Sequence, residues 1–323
     1  MADYRVVIMN TGLAPNYLER EVLEPIGARV IVAERDCNTE DQVIAFARDA
    51  DAVFVREEPV TARVIESLDR VKIYARYGVG VDNVDIEAAR KRKIYVTNVP
   101  GYGTEDVSDH AMALMLACIR TLPVRDRNVR KGIFETDISA EIHRTTGKTL
   151  GIIGYGQIAR AFHRKWKGFL PNRTLVYDPL VDAEEIDALG GEKTDLDTLL
   201  RESDYISIHA PLTLENRHMI DAAALDKMKP AAVIVNTARG AIIDTLALAD
   251  ALERGRIFAA GIDVFEIEPL PPDHPLTALP NVILTPHQAW YSKESRREIQ
   301  TRAAGEIRRV LTGEKPKHWV NPW

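Results

Sequence analysis

Residues 149–162 read TLGIIGYGQIARAF, and this stretch decides the fold. An apolar run of strand length, Thr149–Ile153, meets a helical pattern that starts at Gln157. Gly154, Gly156 and Ala159 form G-x-G-x-x-A at the junction. The first glycine permits a tight turn, and the second lets backbone approach a pyrophosphate. Ala159 is small enough for close helix–strand packing. A helix N-terminus there offers N–H groups and partial positive charge to phosphates. The next strand, Leu175–Tyr177, ends at Asp178. An acid at that spacing accepts hydrogen bonds from ribose hydroxyls and repels a 2′-phosphate. Pro179 and Leu180 follow, with no Arg or Lys to receive such a phosphate. The pattern predicts a Rossmann unit that takes NAD.

Outward from this turn, short apolar runs alternate with helical patterns in both directions. Before it lie strand-like Val6–Met9, Val30–Val32, Ala52–Val55 and Ile73–Tyr77, separated by helical segments. After it lie Tyr205–His209, Ala232–Asn236, Ala259–Val264 and Asn281–Leu284. Such alternation predicts parallel βα units. Thr104–Arg120 reads as an apolar helix with acids in its first turn. An amphipathic helix is expected over 293–311, and the pattern alone assigns it to neither α/β region. The chain of 323 residues suits about two domains.

Composition narrows the class. Hydrophobic residues make up 46% and charged residues 28%, enough apolar material for real cores. A net charge of -6 argues against nucleic-acid binding through bulk positive charge. Two distant cysteines, Cys37 and Cys118, make neither a disulfide framework nor a metal cluster. No run reaches the roughly 18–20 apolar residues of a membrane helix, and the N-terminus lacks a signal-peptide layout. A cytoplasmic protein without metal, membrane or nucleic-acid partners is expected.

Three polar residues follow apolar strands in the second region: Arg239 in VNTARG, Glu268 in IDVFEIEP and His287 in LTPHQAW. Loops at the carboxyl ends of parallel strands form the ligand crevice, the side on which the glycine turn lies. Their chemistry suits hydride exchange at a ketone or alcohol. Hydride delivery leaves negative charge on the former carbonyl oxygen. A protonated histidine supplies the proton as general acid, or takes it back in reverse. A neighbouring carboxylate favours the protonated form and orients the ring. A guanidinium clamps a substrate carboxylate and polarises the keto oxygen. His209 and His110, near a strand end and a helix start, rank behind His287.

The motifs YGVGVDNVD (77–85), GKTLGIIGYGQIA (147–159), DYISIHAPLT (204–213), VNTARGAIID (235–244), GIDVFEIEP (261–269) and LTPHQAWYS (284–292) occur in one order. Together they resemble the D-isomer-specific 2-hydroxyacid dehydrogenase family from about Tyr77 to Leu311. The resemblance implies two Rossmann-like or flavodoxin-like α/β domains with parallel sheets and an active site in the interdomain cleft. It implies a substrate domain of 1–100 plus 293–323, an NAD-binding domain of 101–292, and a homodimer built through the latter. Arg239, Glu268 and His287 are then the catalytic set. Gly154, Gly156, Gln157, Ile158, Asp178, His209, Thr213, Thr237, Ala238 and Asp263 are the implied cofactor contacts. Backbone N–H groups of Val79 and Gly80 are implied to receive the substrate carboxylate.

Within the family, HQAWYS and Arg76 look most like the C-terminal-binding protein branch, where the matching Trp290 and Arg76 shape the substrate pocket. Alternative roles are a packing aromatic for Trp290 and an ion pair with Asp82 or Asp85 for Arg76. The family's third glycine is Ala159 here, and Asp109 stands where Glu is common. Glu268 argues against formate oxidation, for which relatives of this fold carry Gln. The chain is expected to lack the added regulatory domain of many phosphoglycerate dehydrogenases. The expected activity is NAD-dependent interconversion of a 2-keto acid and a D-2-hydroxy acid. The competing reading is an NAD(H)-sensing corepressor-like binding protein.

Overall fold

In the computed structural model, which describes residues 3–11, 13–134 and 142–323, the short apolar runs form two parallel sheets. Their residues separate into two units, Met1–Tyr102 with Ser292–Trp323, and Gly103–Tyr291.

The first unit holds β1 (Tyr4–Ile8), β2 (Ala28–Val32), β3 (Ala52–Val55), β4 (Ile73–Arg76) and β5 (Tyr95–Thr97). Their order is β2-β1-β3-β4-β5, all parallel. This is the flavodoxin-like winding, whose strand order reverses between β1 and β3. Every residue of β3 and β4 is buried, as strands covered on both faces require. The helices are α1 (Tyr17–Leu23), α2 (Glu40–Ala47), α3 (Ala62–Ser67) and α4 (Ile86–Lys91). A capping box between Thr39 and Gln42 starts α2. The C-terminal helix, Lys293–Leu311, begins where Ser292 accepts from the Ser295 N–H. It belongs to this unit and packs on α1, where Gln300 Nε2 donates to the buried Glu19 at 3.0 Å.

The second unit holds β6 (Thr149–Ile153), β7 (Arg173–Tyr177), β8 (Glu192–Lys193), β9 (Tyr205–Ile208), β10 (Val233–Asn236), β11 (Ala259–Ile262) and β12 (Val282–Leu284). The order β12-β11-β10-β9-β6-β7-β8 is the Rossmann winding with one further strand. Its reversal point lies between β6 and β9, where the glycine turn leaves β6. The helices are α5 (Thr104–Ile119), α6 (Leu122–Arg130), α7 (Gln157–Trp166), α8 (Ala183–Ala188), α9 (Leu196–Glu202), α10 (Ala222–Lys227) and α11 (Thr245–Glu253). On one face α5 and α7 pack together over the sheet around Trp166, Phe162 and Met115. On the other, α9, α10 and α11 cover a cluster around Ile234, Leu248 and Leu252.

Five elements carry too little sequence pattern to be read from it. The exposed α6 buries none of its residues, β8 has two residues at a sheet edge, and α4, β5 and α8 have six or fewer. Elements that short bury too little apolar surface to impose a period.

Candidate active site

Gly154 leaves β6 at φ +80°, and a Cβ there would lie 2.6 Å from the Ala210 backbone. Only glycine fits that turn. Gly156 then caps α7, and a Cβ on it would meet none of the described residues within 4 Å. That open space over the helix N-terminus is where a pyrophosphate would sit, beside Gln157 and Ile158. Asp178, at the end of β7, reaches back to the turn. Its Oδ2 accepts from the Tyr155 N–H at 2.7 Å and its Oδ1 from the Leu180 N–H at 2.8 Å. Each oxygen keeps a lone pair for a ribose hydroxyl. After β10, the buried Thr237 hydroxyl has no hydrogen-bond partner among the described residues, an orphan that a bound cofactor would satisfy. These residues fit a dinucleotide.

Two expected cofactor contacts are placed differently from a simple side-chain reading. The His209 ring turns inward against Phe162, with Nε2 2.9 Å from the Ser207 hydroxyl. Burial pushes its pKa down to about 3, so it is neutral. Its backbone, not its ring, faces Gly154. Thr213 folds its own loop, donating from N–H to Asn216 at 2.7 Å.

The Arg239, Glu268 and His287 loops follow β10, β11 and β12, which are neighbours in the sheet. Asn236 shapes the first loop, donating to the Arg239 carbonyl and accepting from the Ala238 N–H. Arg239 Nη1 donates to the Ala238 carbonyl at 2.7 Å. Gly240 lets the second loop cross directly over the first, since a Cβ would lie 1.9 Å from the Phe265 backbone carbon. Glu268 turns back on its own loop, with Oε1 accepting from the Phe265 N–H at 2.8 Å. Its Oε2 lies 2.7 Å from His287 Nδ1. Burial pushes the Glu268 carboxyl up, but the hydrogen bond and charge of His287, the Phe265 amide and the Arg239 charge outweigh it. Its pKa therefore lies below the usual carboxylate range. An ionised Glu268 only accepts, so Nδ1 carries a hydrogen and Nε2 is left for chemistry.

Asp263, 1% exposed, gathers the third loop. Its carboxylate accepts from the N–H groups of Gln288 and Ala289, and its carbonyl from the His287 N–H at 2.7 Å. His287 itself sits at φ +50°. Trp290 follows, its backbone and Cβ against Gly103 and its ring edge-on to Tyr291. Asp109 pairs with Lys165 of α7 at 2.6 Å, a surface contact. In the first unit, Arg76 ends β4 with its guanidinium donating to the Tyr77 carbonyl and 3.8 Å from Glu57. Val79 is 46% exposed, its carbonyl accepting from Asn98, and Gly80 follows it.

Residues 112–289 match the family model of the D-isomer specific 2-hydroxyacid dehydrogenase, NAD binding domain. A glyoxylate reductase of Korarchaeum cryptofilum is 42% identical over 283 residues, covering 86% of this chain and 85% of the relative. The chain belongs to the D-isomer-specific 2-hydroxyacid dehydrogenase family. A D-3-phosphoglycerate dehydrogenase of Methanocaldococcus jannaschii is 40% identical over 88% of this chain, which spans only 54% of that longer protein. A D-lactate dehydrogenase of Aquifex aeolicus, solved with NAD and lactic acid, superposes with a TM-score of 0.88 at 28% identity, covering 99% of each chain. This 2-hydroxyacid dehydrogenase uses NAD and interconverts 2-keto and 2-hydroxy acids. The two parallel-sheet domains expected from its sequence are those of the family's solved structures.

Proposed function

We propose that His287 is the general acid in reduction and general base in oxidation, held by Glu268, while Arg239 binds and polarises the 2-keto acid. The observation that carries this reading is the 2.7 Å contact of His287 Nδ1 with a carboxylate held ionised. It orients the ring, sets a negative charge beside it and leaves Nε2 to move the proton. The chemistry that NADH supplies, when bound, is hydride exchange at the carbonyl carbon. Arg239 offers a fixed fork of donors, suited to a carboxylate and to charge developing on the keto oxygen. Val79 and Gly80, with Arg76 before them, are the proposed carboxylate-binding stretch of the first unit. Trp290 offers an apolar face to a small substrate side chain.

The substrate reading is a D-2-hydroxy acid with a small or modest side chain, with glyoxylate and hydroxypyruvate as the leading keto acids. It is tested by NADH oxidation against glyoxylate, hydroxypyruvate, pyruvate, phenylpyruvate and 3-phosphohydroxypyruvate, with chiral analysis of the product. Turnover on a small keto acid to the D product is expected. An L product, or no turnover with NADH bound, would defeat it and favour the binding-protein reading.

The protein is proposed to act as a cytoplasmic homodimer. Among the described residues, no single helix is long and apolar enough to cross a membrane. An apolar groove of about 440 Å³ lies on the second unit, lined by Val124, Val129, Phe134, Phe258 and Ile283. Phe134 is 91% exposed and Val129 54%. Single chains rarely leave such a cluster in water, and a second copy is its proposed cover. Light scattering should give a dimer for the native chain and a monomer for Phe134→Glu. A monomeric native chain would refute it.

A further inference from the structure

We propose that His110 is a positioning residue that sets His287 through Thr285 and Asp263. The proposal rests on the reading of His287 as the proton-transfer group. His110 lies on α5, remote in sequence from the loop it reaches. Its Nε2 is 3.0 Å from Thr285 Oγ1, and that hydroxyl is 2.6 Å from Asp263 Oδ1. Nε2 itself is 3.6 Å from the same carboxylate oxygen.

Hydrogen counting fixes the direction of this chain. Asp263 as a carboxylate only accepts, and a threonine hydroxyl has one hydrogen. That hydrogen goes to Asp263, so Thr285 Oγ1 accepts from His110 Nε2–H. The relay therefore runs from the α5 imidazole through Thr285 to the buried carboxylate.

What Asp263 holds explains why the relay matters. Its carboxylate grips the N–H groups of Gln288 and Ala289, and its carbonyl takes that of His287. Three successive amides around the proton-transfer residue thus close on one aspartate. His287 is in the left-handed backbone region at φ +50°, which a non-glycine residue keeps only where surrounding contacts over-determine it. Thr285 also ties the loop to β11, donating its N–H to the Ile262 carbonyl at 2.9 Å. If His110 is lost, Thr285 Oγ1 loses the donor that fixes its hydroxyl, and Asp263 Oδ1 keeps its backbone amides but loses a fixed hydroxyl partner. The backbone that aims His287 at Glu268 then loosens, and proton transfer suffers before binding does.

Four variants of the full chain test this: His110→Leu, His110→Gln, Thr285→Val and Thr285→Ser. Loss of an orienting contact should lower kcat of His110→Leu by roughly ten- to hundredfold. KM for the keto acid and Kd for NADH should stay within about threefold, because the change acts on alignment rather than on ground-state binding. Gln can donate from nearly the same place, and His110→Gln should recover most of the loss. Thr285→Val should match His110→Leu, and Thr285→Ser should match the native chain. The double variant His110→Leu/Thr285→Val should be no worse than either single one, since both break one relay. Unchanged kcat in His110→Leu would overturn the proposal. So would a loss shared equally by kcat, NADH binding and Tm with no rescue by Gln. A His287→Asn control separates the failures: if that variant keeps native turnover, the proton-transfer reading has failed, and otherwise only the role of His110 has.

Discussion

Replacing Glu268 with Gln should slow reduction without unfolding the protein. The glutamine amide oxygen can accept from only one of His287 Nδ1–H and the Phe265 N–H, and its NH2 meets the other donor, so the change removes the charge and one of the two hydrogen bonds. The contact is 2.7 Å, and a hydrogen bond to a charged partner is worth about 1.5–3 kcal/mol. At about 1.4 kcal/mol per tenfold in rate, that is roughly ten- to hundredfold in reduction. Both side chains are 32% exposed, so solvent screening favours the lower end, about tenfold. The assay is NADH absorbance with a saturable keto acid, beside a titration of NADH affinity and a urea melt. In Glu268→Gln, kcat/KM should fall about tenfold while NADH affinity and the urea midpoint stay near native. A native kcat/KM in this variant would refute the charge argument.

Other consequences follow from single contacts. Asp178→Ser should weaken NADH roughly ten- to hundredfold, the value of bonds to a charged acceptor, and narrow the preference over NADPH; equal NADH affinity in a titration would refute it. Gly154→Ala should cost about 3 kcal/mol or more, because its Cβ meets backbone 2.6 Å away at φ +80°, and a native urea midpoint would count against it. Stability should fall on acidification. Burial, helped by the charge of Lys167, lowers the His163 pKa from 6.5 to about 4. The unfolded chain takes up that proton first, so stability is intact above about 6.5 and lost progressively down to about 4. His163→Gln should blunt that slope in urea melts, and an unchanged slope would refute the assignment.

The fold was readable because its strands are buried on both faces and therefore appear as continuous apolar runs between helical periods. The glycine turn was readable because Gly154 and Gly156 answer backbone geometry, which the residue type states directly. Edge strand β8 and exposed helix α6 were not, since neither buries an apolar face. Arg239, Glu268 and His287 could be placed after their strands from sequence. What brings their loops together could not: Gly240 under Phe265, and His287 on Glu268, are contacts between loops that follow neighbouring strands. The relay from His110 lies further out of reach. It spans 175 residues, and nothing in a lone His or Thr distinguishes a relay from a packed side chain. The inward ring of His209 shows the same limit, because a strand-end position does not say which way a side chain turns.

The most direct test of the account is single-turnover reduction of glyoxylate or hydroxypyruvate by the NADH complex of the native chain and of His287→Asn. If His287 moves the proton, the variant should bind NADH normally and transfer hydride slower by about a hundredfold or more. Equal rates in the two proteins would contradict the assignment of proton transfer to His287.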